Sequence, residues 1–178
     1  MKGLVFTEFL EMVEQKFGLE TADHILDSSD LPSGGIYTAV GTYDYGEMVT
    51  LLQALSQKTG LAIPDLLYSY GHYLFATFQK GYPAFLNFAS SAFDFLESID
   101  KHIHVEVKKL YPEAELPTFH SKRLSDSELE LVYESERKMG TFALGLIEKS
   151  LEHYQEKASV IMENMRADGS QVRFVIKK

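Results

Sequence analysis

The chain has 178 residues, 45% of them hydrophobic and 12% aromatic, which is enough apolar material for the core of one domain or of two joined lobes. Its net charge of −9 argues against nucleic acid binding, because neutralising phosphates requires clustered Lys and Arg. The absence of Cys excludes disulfides, thiolate metal sites and any cofactor attached through Cys.

The first two thirds of the chain is predicted to be helical. Apolar residues recur at spacings of mostly three and four from Leu4 to Phe17, which is typical of an amphipathic helix, and Gly18 ends it. Turn-forming residues fill 28–35, which is predicted to be a loop. The same periodicity, with Gly and Pro at the ends, predicts further helical segments at about 21–26, 45–58, 63–79, 83–103 and 104–111.

The last third alternates apolar and polar residues and therefore predicts strands. A helix is predicted between two strand pairs, and Ala167-Asp-Gly-Ser170 is a strong hairpin signal. The predicted fold class is α+β, in one domain of residues 1–178: a helical N-terminal lobe at about 1–60, then a lobe at 61–178 with helices and a four-stranded antiparallel sheet. The predicted elements of the last third are strands at 116–123, 128–135, 160–165 and 171–176 and a helix at 139–157.

The N-terminus does not resemble a secretion signal, because Glu8 and Glu11 come too early for an apolar signal core. No run of eighteen apolar residues is present, so no membrane span is predicted. We expect a cytoplasmic domain.

Tyr133, Ser135 and Arg137 occupy alternating positions near the end of a predicted strand. A period of two would place all three side chains on one face, where two hydroxyls and a guanidinium could receive a pair of carboxylates. An ordinary solvated strand face is the alternative interpretation.

Six histidines are present, and His104 opens a helical stretch in which Val105, Val107 and Leu110 are interleaved with charged residues. A spacing of two places His102 and His104 on different helix faces, so the pair would not bind one metal together. The pattern favours His104 only modestly over His102 as a ligand.

The chain resembles the haem-nitric oxide/oxygen-binding (H-NOX) family, which includes the haem domain of soluble guanylate cyclase. The matches run through the whole chain, and they comprise Met1-Lys-Gly3, His104 followed by Tyr111-Pro112 and Pro117-x-Phe119, Tyr133-x-Ser135-x-Arg137, and Gly145-Leu-Ile147.

The resemblance implies haem b buried between the two lobes. It also implies that His104 is the axial ligand of the iron and that the haem propionates are bound by Tyr133, Ser135 and Arg137. Pro117 and Val5 press on the porphyrin.

The resemblance also identifies the gas-binding side. Oxygen-binding members place a Tyr five residues after the propionate-binding Arg, where this chain has Phe142, and they support it with polar residues where this chain has Phe9 and Leu74. The remaining residues of this side are Val5, Phe78 and Leu146.

All of these side chains are hydrocarbon. We therefore expect ferrous haem that binds nitric oxide and carbon monoxide without a stable oxygen complex. A donor from His72 or Tyr73 is the open alternative.

The implied role is a gas sensor and not an enzyme. Nitric oxide would break the bond from His104 to iron, relieve pressure at Val5 and Pro117, and shift the N-terminal helices. Because the sequence ends without an output segment, the expected partner acts in trans and is a histidine kinase or a cyclic-di-guanylate enzyme. The rival functions are an oxygen sensor, a haem carrier or buffer, and a haem enzyme.

Overall fold

In a computed structural model that describes all 178 residues, the helical periodicity of the first part of the chain forms α1 (Gly3–Phe17), α2 (Leu19–Asp27) and α3 (Tyr45–Thr59). A fourth helix, α4 (Ile63–Gly81), follows. Residues 1–70 and 71–178 form two compact units, called here unit 1 and unit 2, and their boundary falls inside α4.

Unit 1 buries the apolar stripe of α1 and one side of α3. The fully buried side chains include Phe6, Phe9, Met12 and Val13 of α1 and Met48, Leu51 and Leu55 of α3. Helix α3 begins where the Asp44 carboxylate accepts the backbone N–H of Gly46, and it ends at Gly60, whose φ of 74° is readily adopted only by glycine.

Unit 2 continues with short helical segments, α5 (Ala84–Asn87), α6 (Ala92–Ser98) and α7 (His104–Leu110). A π-helical turn, Ile99–Ile103, lies between α6 and α7. The helical stretch predicted for 83–103 is therefore two α-helices and a π-helix.

The four-stranded antiparallel sheet predicted for the last third is confirmed, with the order β1-β2-β4-β3. Its strands are β1 (Thr118–Ser125), β2 (Glu128–Glu134), β3 (Ser159–Asn164) and β4 (Gln171–Lys177), and α8 (Gly140–His153) lies between β2 and β3 in the chain. Alternate residues of β2 and β4 are buried in one core with residues of α6 and α8. The mixed helix-and-sheet fold class is confirmed.

Two boundaries in this region differ from the sequence prediction. Helix α8 ends at His153 and not near residue 157, because Gln155 adopts φ 57°, which a helix does not permit. Strand β2 ends at Glu134, one residue before Ser135, with a consequence for the site described below.

No helix combines the length and the apolar character that crossing a bilayer requires.

The start of α1 is a point of unusually close backbone packing. A Cβ atom on Gly3 would lie 1.8 Å from the carbonyl oxygen of Thr38 and 2.9 Å from the Tyr43 ring. No flexible side chain end can move aside for it, because the nearest atom is backbone.

We therefore expect Gly3→Ala to lower the free energy of unfolding by about 1–3 kcal/mol, the usual cost of overpacking. Gly81→Ala is the matched control, because a Cβ there meets nothing within 4 Å. Urea denaturation followed by circular dichroism measures both variants. Equal stability of the two would contradict the close approach at Gly3.

Candidate functional site

His104 is the first residue of α7 and lies directly after the π-helical turn. Its side chain is largely buried, and its Nδ1 lies 2.8 Å from Oδ1 of Asp100. π-Helical turns are rare and are frequent at functional sites. His104 is therefore held in a locally unusual backbone with a fixed partner.

The hydrogen bond to Asp100 determines which nitrogen of His104 is available. A carboxylate only accepts, so the proton resides on Nδ1 and Nε2 keeps its lone pair. Burial lowers the pKa of His104 and outweighs the hydrogen bond and charge of Asp100, which act to raise it. The result is a neutral imidazole whose Nε2 has no hydrogen-bond partner in the chain, the state in which histidine binds metal.

Aromatic contacts connect His104 to strand β2. The His104 ring lies 6.1 Å from the Phe119 ring, and Phe119 lies 5.5 Å from the Tyr133 ring in an edge-on contact. The sequence-predicted ligand and the first member of the predicted carboxylate receptor therefore border one region of unit 2.

The prediction that Tyr133, Ser135 and Arg137 share one strand face is wrong in its geometry. Only Tyr133 belongs to β2, and Ser135 and Arg137 lie in the turn between β2 and α8. The strand stops because the Ser135 N–H bonds to the Ser170 carbonyl at 2.9 Å and the chain then turns, with Lys138 at φ 56°.

The turn nevertheless brings the three side chains together. The Arg137 N–H donates to Ser135 Oγ at 3.2 Å, and the Tyr133 hydroxyl accepts the Met139 N–H at 3.1 Å. Burial raises the pKa of Tyr133, and a hydrogen bond from Ser135 and the nearby Arg137 charge partly oppose this. Proximity thus arises from a turn and not from strand alternation.

Arg137 already binds a carboxylate in this structure. Its guanidinium donates to the Glu115 backbone oxygen at 2.7 Å and to Glu115 Oε2 at 2.8 Å. The Arg137 side chain is 15% exposed, whereas that of Glu115 is 84% exposed. A largely enclosed guanidinium that binds a surface carboxylate has the geometry for carboxylate recognition.

The sequence interpretation missed the residues that hold this turn in place. Asp168, in the β3–β4 hairpin, accepts from the Ser170 N–H at 3.0 Å and from its hydroxyl at 2.7 Å, and it lies 3.3 Å from Lys138 Nζ. These bonds lower the pKa of Asp168 to about 2.

Asp100 was also missed, although a carboxylate four residues before a candidate ligand His was a usable signal.

The other predicted site residues are divided between the two units. In unit 1, Val5 is half-buried on α1 and its carbonyl accepts from the Tyr70 hydroxyl at 2.6 Å, and Phe9 is fully buried. In unit 2, Pro117 is half-buried immediately before β1.

The unit 2 members of the predicted gas-binding side lie on two adjacent helices. Leu74 and Phe78 are on α4, and Phe142 and Leu146 are on α8. The helices approach closely, since a Cβ on Gly71 would lie 2.3 Å from the Phe142 carbonyl oxygen.

Both alternative donors, His72 and Tyr73, lie on α4 directly before Leu74. The His72 Nε2 is 3.9 Å from Oε2 of Glu148, which is too long for a hydrogen bond. Glu148 is two residues beyond Leu146, so it lies on a different side of α8.

The donor set fits a metal whose other ligands come from a cofactor. No group of three or more His, Asp or Glu side chains could bind a bare metal ion. A single neutral imidazole beside a guanidinium and two hydroxyls suits a metalloporphyrin, which brings its own equatorial ligands and two carboxylates.

Comparison with known proteins agrees with this fit. A family model described as haem-NO-binding matches residues 2–162. No match to the chain was found among the curated proteins.

Two crystal structures of an H-NOX protein from K. algicida in the Fe(II) unliganded state, one of them a mutant, are 46% and 47% identical to the chain. They have a TM-score of 0.96, covering 100% of this chain and 96% of theirs.

Two further solved structures are similar over nearly the whole chain. The solution structure of the H-NOX from Shewanella woodyi, bound to IWP-051 in the Fe(II)CO ligation state, is 39% identical with a TM-score of 0.85 and covers 100% of this chain and 94% of that one. An H-NOX protein from S. oneidensis in the Fe(II)NO state is 23% identical with a TM-score of 0.88, covering 99% and 98%, and supports the fold alone.

The hydrogen bond between the Met139 N–H and the Tyr133 hydroxyl is a testable support of the turn. We expect Tyr133→Phe to lower the free energy of unfolding by about 1–3 kcal/mol, because a buried N–H then loses its acceptor. Tyr133→Trp is not a suitable substitution for this test, because the larger ring would also change the packing. Thermal denaturation measures the effect, and an unchanged midpoint would contradict it.

Proposed function

Because the chain belongs to the haem-NO-binding family, whose members are haem-based gas sensor domains and not catalysts, we propose that it binds nitric oxide at ferrous haem in preference to oxygen and regulates a signalling partner in trans. The observation that carries the proposal is the buried, neutral His104 with Nδ1 on Asp100 and Nε2 without a partner.

His104 holds the iron through Nε2 in this proposal. Asp100 fixes the ring orientation and the tautomer, as carboxylates commonly do for metal-bound histidines. When bound, ferrous haem supplies one open coordination position for a diatomic gas on the side opposite its protein ligand. No second protein ligand is needed on the His104 side.

Tyr133, Ser135 and Arg137 bind the haem carboxylates. The guanidinium offers a planar fork that matches a carboxylate, and charge-assisted bonds of this kind are among the stronger ones in proteins. The resemblance to the family implies haem b as the cofactor, and the absence of Cys is consistent with a porphyrin that is not attached through thioethers. By resemblance to the family, Val5 and Pro117 supply apolar contact to the porphyrin.

Selectivity for nitric oxide over oxygen comes from the absence of hydrogen-bond donors on the gas-binding side, whose residues are assigned by resemblance to the family. Bound oxygen takes on negative charge and gains from a hydrogen-bond donor, whereas nitric oxide does not require one. The residues in question are all hydrocarbon, and they are Val5, Phe9, Leu74, Phe78, Phe142 and Leu146. A donor from His72 or Tyr73 on α4 is the alternative that the oxygen-binding measurement below decides.

A relative that is 39% identical to the chain supports a diatomic gas as ligand. This relative, the H-NOX from Shewanella woodyi, is known in the Fe(II)CO state. The partner in trans is a histidine kinase or a cyclic-di-guanylate enzyme.

The axial ligand is tested by His104→Gly. We expect haem transfer to apomyoglobin to become roughly tenfold faster or more, because the metal bond to the protein is lost. His102→Gly is the matched control, since His102 is exposed two residues earlier and its ring lies 4.6 Å from the Phe88 ring. Equal haem loss in the two variants would contradict the assignment.

Selectivity is tested by Phe142→Tyr. A well-placed hydroxyl would lower the oxygen dissociation constant, by roughly 5- to 150-fold for the about 1–3 kcal/mol of one hydrogen bond in an apolar site. Phe88→Tyr, at a side chain 45% exposed, serves as control and leaves oxygen binding unchanged. Absorption spectra of the reduced proteins in air provide the measurement, and a stable oxygen complex in the unaltered protein would overturn the proposal.

A further inference from the structure

Ile36 and Val40 are the most exposed large apolar side chains of the chain, at 76% and 72%. They lie four residues apart in the segment 36–42, called here the 36–42 loop, between α2 and α3. Exposed apolar side chains that lie close together mark interaction sites more often than isolated ones do.

The 36–42 loop is firmly anchored. Tyr37 stacks on Phe6 at 4.5 Å, and its hydroxyl donates at 2.8 Å to the carboxylate of Glu47, which is 5% exposed. Ser33 donates to the same carboxylate oxygen. Because the backbone is fixed on both sides of Ile36, the apolar side chains are presented in a preorganised arrangement, which reduces the entropy lost on binding.

The loop is also bonded to the first turn of α1. The Gly3 N–H donates to the Gly41 carbonyl and the Leu4 N–H to the Ala39 carbonyl, both at 2.9 Å. These are N–H groups that a helix start leaves without intrahelical acceptors. A displacement of α1 at Val5, the next residue, would therefore move the loop.

The charge of the protein is concentrated in the unit that carries this loop. Residues 1–70 contain ten Asp and Glu against three Lys and no Arg, a net charge of −7, whereas residues 71–178 contain 16 Asp and Glu against 14 Lys and Arg, a net charge of −2. Two of the carboxylates, Glu11 and Glu14, are exposed on α1. Unit 1 therefore carries an excess of carboxylates, while Lys2 places a cation against the loop, because its Nζ donates to the Val40 carbonyl at 3.2 Å and to Thr42 Oγ1 at 2.9 Å.

We propose that the 36–42 loop and the exposed acidic face of α1 form the docking surface for the signalling partner, and that the partner is a protein presenting apolar side chains ringed by Lys and Arg. This inference rests on the proposed function, since it gives the sensor its output surface. A second copy of the chain is disfavoured as occupant, because two acidic surfaces repel.

The test uses the CO-saturated ferrous holoprotein and two synthetic amphipathic peptides, one of Leu and Lys and one of Leu and Glu. We expect the Leu-Lys peptide to shift NMR signals of the 36–42 loop and α1, in a salt-dependent way, and the Leu-Glu peptide to shift none. The combined Ile36→Ser and Val40→Ser variant should bind the Leu-Lys peptide at least roughly tenfold more weakly.

Two matched controls distinguish peptide binding at this surface from nonspecific hydrophobic or electrostatic attraction to the protein. Leu124→Ser with Ile161→Ser changes two apolar side chains of unit 2 that are 42% and 50% exposed, and it should leave peptide binding unchanged. Glu11→Lys with Glu14→Lys should weaken binding, whereas Glu113→Lys with Glu136→Lys, at exposed positions of unit 2, should weaken it much less.

The proposal is overturned if the peptide shifts map to unit 2, or if Ile36→Ser with Val40→Ser leaves the affinity unchanged. It is also overturned if light scattering detects a dimer that this variant abolishes, because the occupant is then a second copy. The absorption spectra with nitric oxide are read in parallel. Loss of the nitric oxide response in the unaltered protein would reject the proposed function instead.

Discussion

The hydrogen bond between His104 and Asp100 is the interaction on which the site depends. It places the proton on Nδ1 and leaves Nε2 with a lone pair, while burial keeps the imidazole neutral. Without the carboxylate, the ring could rotate or adopt the other tautomer, and neither state presents the same nitrogen to a metal. The π-helical turn that contains Asp100 is thus part of the geometry that orients His104.

A second constraint is the end of strand β2. The ladder between β2 and β4 continues to Glu134 opposite Gln171, and Ser135 then bonds to Ser170 in the hairpin turn. The hairpin is itself stiffened by Asp168, which binds both Ser170 and Lys138. Arg137 therefore projects from a turn braced on two sides, which limits how far its guanidinium can move.

The sequence predicted most of the fold, because the relevant signals are local. Apolar spacing identified α1 and α3, and alternation with a strong hairpin signal identified the sheet. The site residues were less readable, since the local pattern favoured His104 only modestly over His102 and the resemblance to the family supplied the remaining assignments.

What the sequence could not provide depends on contacts between distant segments. Strand β2 stops before Ser135 because of Ser170, which is 35 positions away, and no local pattern encodes that partner. The π-helical turn was likewise hidden, because its residues differ little in type from those of an α-helix.

The proposed gas site and the proposed docking surface place opposite requirements on polar groups. Gas selection in the proposed sensor depends on the absence of hydrogen-bond donors among its hydrocarbon side chains, such as Phe9, Leu74 and Phe142. The proposed partner recognition depends on the reverse, an excess of carboxylates in the unit that also carries the exposed Ile36 and Val40.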